Sequence, residues 1–339
     1  MPLHDDYAAI REGAAIGSIS PRVQLAVAGN DRASYLQGLL TNDIQALTPG
    51  TGCYAAWLTP QGRMLTDMHV LESGGMILLD VPTEQGTATL ERLEQFIFTE
   101  EVRVGSMADV LTGVCVHGPR AAELLERTLE GGHGLASWTD YRHTQLELGG
   151  EPVSVARIDQ IGVPGYCVYL DRSRAPMLVA GLTAAGAVPV ETDALEAARI
   201  EAGYPVFGVD MTETTIPLEA GIEERAISLT KGCYVGQEVI IRVLHRGGGR
   251  VARRLVGLRV DVDPADRLRQ GHGGRGAKLF SGDRDIGEVT SAAHSPRFGA
   301  IALAYVHRDF AAPDTPLEVA VAQGRVQATV TARPIPSAA

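Results

Sequence analysis

Apolar and polar residues alternate from residue 23 to 28, with Val23, Leu25 and Val27 on one side, and Gly29-Asn30 ends the run. A period of two predicts a half-buried strand. Asn30 or Asp31 then stands at a helix N-cap, before Leu36, Leu39 and Leu40 on one helical face. Strands are predicted at 54–58 and 64–71, around the turn Thr59-Pro60-Gln61-Gly62, and again at 76–81. Residues 84–98 carry Leu90, Leu93 and Ile97 at helical spacing; 110–117 read as a strand and 119–130 as a helix. Strands at 153–158 and 165–170 form a pair, followed by a helix over 175–186. The best-defined helix spans 193–202, with Asp193 as N-cap, Glu196 in the capping-box position, Gly203 at C′ and Pro205 beyond. After Gly247-Gly248-Gly249 the pattern changes to short alternating strands at 255–260, 278–280, 288–291, 301–306, 317–321 and 326–332. The chain therefore reads as an α+β region over 1–246 and a small antiparallel barrel or sandwich over 247–339.

Composition narrows the function classes. A net charge of −11 argues against broad, direct binding to a nucleic-acid backbone. The basic cluster Arg242, His245, Arg246, Arg250, Arg253 and Arg254 is either a local patch or a solvated charged face. No uncharged apolar run reaches the ~18 residues a membrane span requires. Cys53, Cys115, Cys167 and Cys233 are too widely spaced for a zinc ribbon or a complete cluster site, and they do not suggest a secreted disulfide scaffold. The expectation is a soluble, cytoplasmic protein with no metal site.

One octapeptide concentrates chemistry: Lys231-Gly232-Cys233-Tyr234-Val235-Gly236-Gln237-Glu238. The glycines permit tight turns and close approach to a ligand. With 239–245 helical, Cys233 would precede a helix N-terminus beside Lys231, a setting that favours thiolate. The alternative is an inert cysteine buried in a Gly-rich turn. The motif K-G-C-Y-x-G-Q-E followed by Arg242 resembles the signature of the YgfZ family, folate-binding relatives of the glycine cleavage T-protein linked to iron–sulfur enzyme maintenance.

The resemblance runs from about residue 20 to 335. It includes Tyr35-Leu36-Gln37-Gly38-Leu39-Leu40-Thr41-Asn42-Asp43, Ile216-Pro217-Leu218-Glu219-Ala220-Gly221 and Ile286-Gly287-Glu288-Val289-Thr290-Ser291. It implies two interleaved α+β subdomains and a C-terminal antiparallel barrel, three lobes around a central hole holding a tetrahydrofolate derivative. The segment Arg199-Ile200-Glu201-Ala202-Gly203-Tyr204-Pro205 is similar to the T-protein R-x-E-x-G-x-P, whose glutamate binds the pterin; position alone makes Glu201 a solvated surface carboxylate. Asp67 matches an aspartate that faces the folate nitrogens, or is simply a strand-end residue. Cys233 would be the reactive thiol, and Lys231, Gln237, Arg242 and Tyr204 join Glu201 in holding the cofactor. Tyr7, Tyr54 and Trp57 are further candidates for an aromatic pocket. The chain departs from the T-protein pattern at Thr66, where the enzymes carry the first of two aspartates, and at Gln237, where they carry arginine. These departures favour a folate-binding accessory factor for iron–sulfur client enzymes, including radical tRNA-modifying enzymes. The alternative is a tetrahydrofolate-dependent aminomethyltransferase or demethylase.

Overall fold

The computed structural model describes residues 3–246, 250–261, 275–321 and 324–336. The glycine run at 247–249, where the sequence divides the chain, lies outside them.

Two sheets interleave. After α1 (Leu3–Glu12) and the short β1 (Ala15–Ile16), the chain builds a five-stranded antiparallel sheet from β2 (Arg22–Ala28), β3 (Thr51–Leu58), β4 (Met64–Glu72), β5 (Met76–Pro82) and β6 (Arg103–Ser106), in the order β3-β4-β5-β2-β6. Helices α2 (Arg32–Leu39) and α3 (Gly86–Gln95) belong to this half. Its core gathers Leu25, Leu36, Leu40, Trp57, Met68, Leu79 and Leu93. The chain then returns to β1 with β7 (Leu111–His117), α4 (Ala121–Thr128), β8 (His143–Leu148), β9 (Glu151–Arg157), β10 (Gly165–Asp171), α5 (Ala175–Ala185) and β11 (Val188–Pro189). The second sheet has the order β11-β1-β7-β10-β9-β8, and Val116, Leu124, Leu125, Val168, Leu178 and Leu182 pack beneath it.

A helical stretch connects these sheets to the C-terminal domain: α6 (Thr192–Ala202), α7 (Pro217–Ala220), α8 (Glu223–Ala226) and α9 (Gln237–Ile241). Among the described residues, the six remaining strands close into an antiparallel barrel: β12 (Arg253–Val260), β13 (Lys278–Ser281), β14 (Arg284–Ser295), β15 (Gly299–His307), β16 (Pro316–Val321) and β17 (Gly324–Thr331). Leu258, Leu279, Ala304, Val306, Val319 and Val330 fill its interior. The expected α+β fold with a C-terminal barrel is therefore observed, and closure leaves the barrel without a free sheet edge.

Several local expectations change. The helix expected over 84–98 is only Gly86–Gln95; Phe98 beyond it is exposed, so the apolar period fails there. Helix α6 is capped at Glu191, and Asp193 lies in its first turn, where its charge suits the helix dipole. Gly203 ends the helix with φ 75°, as the sequence requires. The helix expected over 239–245 is a five-residue α9, continued by a π-turn over Arg242–Arg246. The cysteine spacing gives no sign of a disulfide, yet Cys115 and Cys167 form one. They are 52 residues apart in sequence, but the register of β7 and β10 sets them opposite each other, with Cα atoms 4.2 Å apart. Among the described residues, no helix is long and apolar enough to cross a membrane.

Candidate functional site

A cleft lies where β2, β3 and β4 meet the loop after β9, the tail of α6 and α8. Strand geometry supplies its first wall. Asp67 and His69 are two residues apart on β4 and share one face, and His69 is registered opposite Tyr54 of β3. All three line the cleft. The Tyr54 hydroxyl donates to Asp67 Oδ2 at 2.8 Å. Burial, reinforced by the Asp67 carboxylate, holds the Tyr54 phenol well above its ordinary pKa, so Tyr54 keeps its proton and donates it.

Arg22, at the start of β2, reaches Asp67 Oδ1 from both Nη atoms at 3.4 Å and lies 3.3 Å from Asp80 Oδ2 through Nε. Burial opposes the guanidinium charge, but Asp67 and then Asp80 outweigh it and raise its pKa. Asp80 also accepts from Gln24 at 2.9 Å and Tyr169 at 3.0 Å; burial nevertheless raises its pKa. Asp67 is thus buried but supported on both oxygens, with lone pairs remaining toward the cleft.

The opposite wall is aromatic and amide-bearing. Arg225 packs over the Tyr204 ring at 4.1 Å and the Tyr54 ring at 5.5 Å. Tyr204 donates to Asp159 Oδ2 at 3.2 Å, while Asp159 Oδ1 accepts from the backbone N–H groups of Ile161 and Gly162. Burial raises the Asp159 pKa. His69 is held well below its ordinary pKa, first by burial and then by Arg22 and Arg225, so its imidazole is neutral. Its Nδ1 lies 3.1 Å from the Tyr141 hydroxyl.

The structure brings only part of the sequence-predicted site together here. Asp67, Tyr204 and Tyr54 line the cleft. Trp57 does not: three residues after Tyr54, it faces the other side of β3 and packs in the core. Glu201 is neither a solvated surface group nor part of this lining. It is 3% exposed, accepts from Tyr7 at 2.8 and 3.0 Å, and is also bonded by Arg11 and Ser295. Arg199 is fully buried and donates to Glu196, Asp210, Ser291 and the Tyr204 carbonyl. The R-x-E segment thus fastens α6 to α1 and to barrel strand β14.

The octapeptide is likewise built into the fold. Lys231 is 8% exposed, and its ammonium donates to the carbonyls of Gln37, Leu40 and Asn42 at 2.6, 2.6 and 2.9 Å. Those acceptors belong to the Tyr35–Asp43 segment, so two of the stretches singled out in the sequence hold each other. Gly236 has φ 85°, and a Cβ there would lie 2.5 Å from the Thr59 carbonyl oxygen. Gly232 has open space around it, so its side of the turn does not require glycine. Cys233 is a free, exposed thiol, three residues before the α9 N-cap at Gly236 rather than beside it. Gln237 is half-buried and Arg242 exposed; neither they, Lys231 nor Cys233 line this cleft. Among the described residues, no group of three His, Cys, Asp or Glu side chains is arranged to hold a metal ion.

Sequence reasoning missed Arg22, His69, Asp159, Gln160 and Arg225. His69 was within reach, because Asp67 and a residue two further along a strand share a face. The others converge only through tertiary topology.

The geometry can be set beside known proteins. The family description "GCVT N-terminal domain" matches residues 2–231, and "Glycine cleavage T-protein C-terminal barrel domain" matches residues 253–335. An aminomethyltransferase of Rippkaea orientalis is 29% identical, with 98% of this chain and 89% of the relative covered. One from Synechococcus elongatus is 30% identical over 98% and 87%, and one from Bacillus subtilis 25% over 97% and 89%. A crystal structure of the glycine cleavage system aminomethyltransferase T from Bartonella henselae superposes with a TM-score of 0.86 at 22% identity, covering 98% of this chain and 89% of that one, which shows a shared fold. By its two matched domains and by its interleaved sheets and closed barrel, the chain belongs to the glycine cleavage T-protein family.

Proposed function

We propose that the cleft binds a tetrahydrofolate derivative and that the protein carries out one-carbon chemistry of the aminomethyl-transfer type on it. The relatives' names support the reaction class, and the cleft supports the ligand. Tyr54, Tyr204 and Phe207 offer ring surfaces, and the Gln160 amide carries a buried oxygen without a partner. A reduced folate supplies ring and bridge nitrogens able to carry a one-carbon unit. Asp67 supplies a carboxylate fixed by Tyr54 and Arg22, able to accept or hold a proton at the wall.

The observation that carries this reading is the placement of Asp67. Thr66, where the enzymes have their other aspartate, lies on the opposite face of β4, and its hydroxyl is bonded to the Asp67 carbonyl. This departure therefore leaves the cleft-facing carboxylate in place. Calorimetric titration with tetrahydrofolate, together with turnover of an aminomethylated carrier, tests the reading. The expected result is binding and turnover by the wild type. Asp67→Asn is expected to bind within a few-fold and to lose about 10²–10⁴ in rate. Failure of the wild type to bind tetrahydrofolate refutes it.

The accessory reading for iron–sulfur client enzymes is favoured by one observation, the exposed Cys233 on a loop tethered by Lys231. It rests otherwise on the octapeptide resemblance alone. Cells lacking the gene, supplied with wild type or Cys233→Ser, test it through a [4Fe–4S] enzyme and the methylthio modification of tRNA. Equal rescue by both removes the thiol from the function. Under either reading we place the protein in the cytoplasm, without direct nucleic-acid binding.

A further inference from the structure

Gln160 is an expensive residue in its position. It is 7% exposed and lines the cleft, yet its Oε1 is buried with no hydrogen-bond partner. Its Nε2 lies 3.5 Å from His69 Nε2, the outer limit of a hydrogen bond. Turning the amide over exchanges oxygen and nitrogen but still leaves one of them unpaired. Buried polar groups are almost always paired, and an unpaired one costs stability that an apolar side chain of the same size would not. The backbone around it is fixed in advance: Asp159 is pinned by the Ile161 and Gly162 N–H groups and by Tyr204, and Arg225 donates to the Asp159 carbonyl at 3.2 Å. The amide therefore stands on a rigid loop at the cleft wall.

A primary amide offers one acceptor and one donor side by side. Its complement is a cyclic amide, whose ring N–H and C=O are adjacent. A carboxylate offers no donor, and a plain aromatic ring offers neither. We propose that Gln160 is a specificity-determining residue that reads the lactam edge of the heterocycle entering this cleft. Taken with the proposed function, on which this inference rests, that edge is the pyrimidinone of the pterin. Asp67, on the facing wall, is left for the nitrogens of the reduced half of the ligand.

Gln160→Met keeps the volume and removes both polar atoms. Because the amide has an unpaired atom in the free protein, the variant is expected to melt at the wild-type temperature or above it. Tetrahydrofolate, titrated by calorimetry into both proteins, is expected to bind the variant about tenfold or more weakly. Equal affinity for the two proteins overturns the proposal while leaving the folate reading intact. A fall in melting temperature of more than about 5 °C also overturns it, since the amide would then be a structural group. No binding by the wild type overturns the folate reading, and this inference with it.

Discussion

Replacing Lys231 by methionine separates a structural role for the octapeptide from a ligand-binding one. Methionine fills similar space but cannot donate to the carbonyls of Gln37, Leu40 and Asn42, which lie 2.6, 2.6 and 2.9 Å from the ammonium. The Gln37 and Leu40 carbonyls are at the end of α2, where backbone oxygens lack helical partners. The Leu40 contact is fully buried, and a bond from a charged donor contributes roughly 1.5–3 kcal/mol; the two half-buried contacts contribute roughly 1 kcal/mol each. Burial opposes the charge and lowers the Lys231 pKa from 10.5 to about 8, which offsets part of that sum. At about 1.36 kcal/mol per pH unit that offset is about 3.4 kcal/mol, so the net loss at pH 7 is about 0–1.6 kcal/mol. At about 2–4 °C per kcal/mol, calorimetry should show the variant melting up to about 6 °C lower. A second arm uses pH. The folded pKa lies below the unfolded one, so the unfolded chain binds more protons between pH 8 and 10.5, and wild-type stability rises with pH across that window. Between pH 8 and about 9.5 the wild type should gain about 1.5 kcal/mol on Lys231→Met. An unchanged melting temperature at pH 7 with parallel pH profiles refutes this reasoning. An unchanged melting temperature with lost tetrahydrofolate affinity would return Lys231 to the ligand, as the sequence suggested.

Gly236→Ala places a Cβ 2.5 Å from the Thr59 carbonyl oxygen at φ 85°, and should cost at least roughly 2–3 kcal/mol in urea unfolding, whereas Gly232→Ala should be nearly silent. His117 is buried against the Gly17 carbonyl, and burial pulls its pKa down to about 4. Its neutral form therefore contributes up to about 3 kcal/mol that is lost as pH falls from 6.5 toward 4, and His117→Gln should flatten that part of the acid-stability curve. Alkylation at pH 8 with peptide mapping should modify Cys233 at least about a hundredfold faster than Cys53, whose thiol burial pushes up to about 12.

What the sequence discloses and what it hides divide along a physical line. Local patterns reached the elements: Gly203 stops α6, and the alternating runs after the glycine stretch close into a barrel. Motif residues were harder to assign, because a motif records that a side chain matters without recording its partners. Glu201 and Lys231 are held by groups far away in sequence, Glu201 by Tyr7, Arg11 and Ser295, and Arg199 reaches the distant Ser291 as well as near neighbours. Asp67 was singled out by its match to the T-protein segment, and the alternation of β4 sets the face it takes. Gln160 and Arg225 were not, since nothing in a loop's composition says which cleft it will line. The Cys115–Cys167 pair was hidden for the same reason, being set by the register of two strands.

The Arg199 guanidinium joins two things usually described separately. Its Nη2 holds Ser291 in the barrel, and its Nη1 holds both Asp210 and the carbonyl of Tyr204, whose ring walls the cleft. The C-terminal barrel is therefore not an interchangeable cap. A graft of this barrel onto another member of the family, or of a foreign barrel onto this chain, must preserve that handshake, or the wall at Tyr204 loses its fixed point. Through Arg199 the barrel takes part in fixing the wall of the cleft.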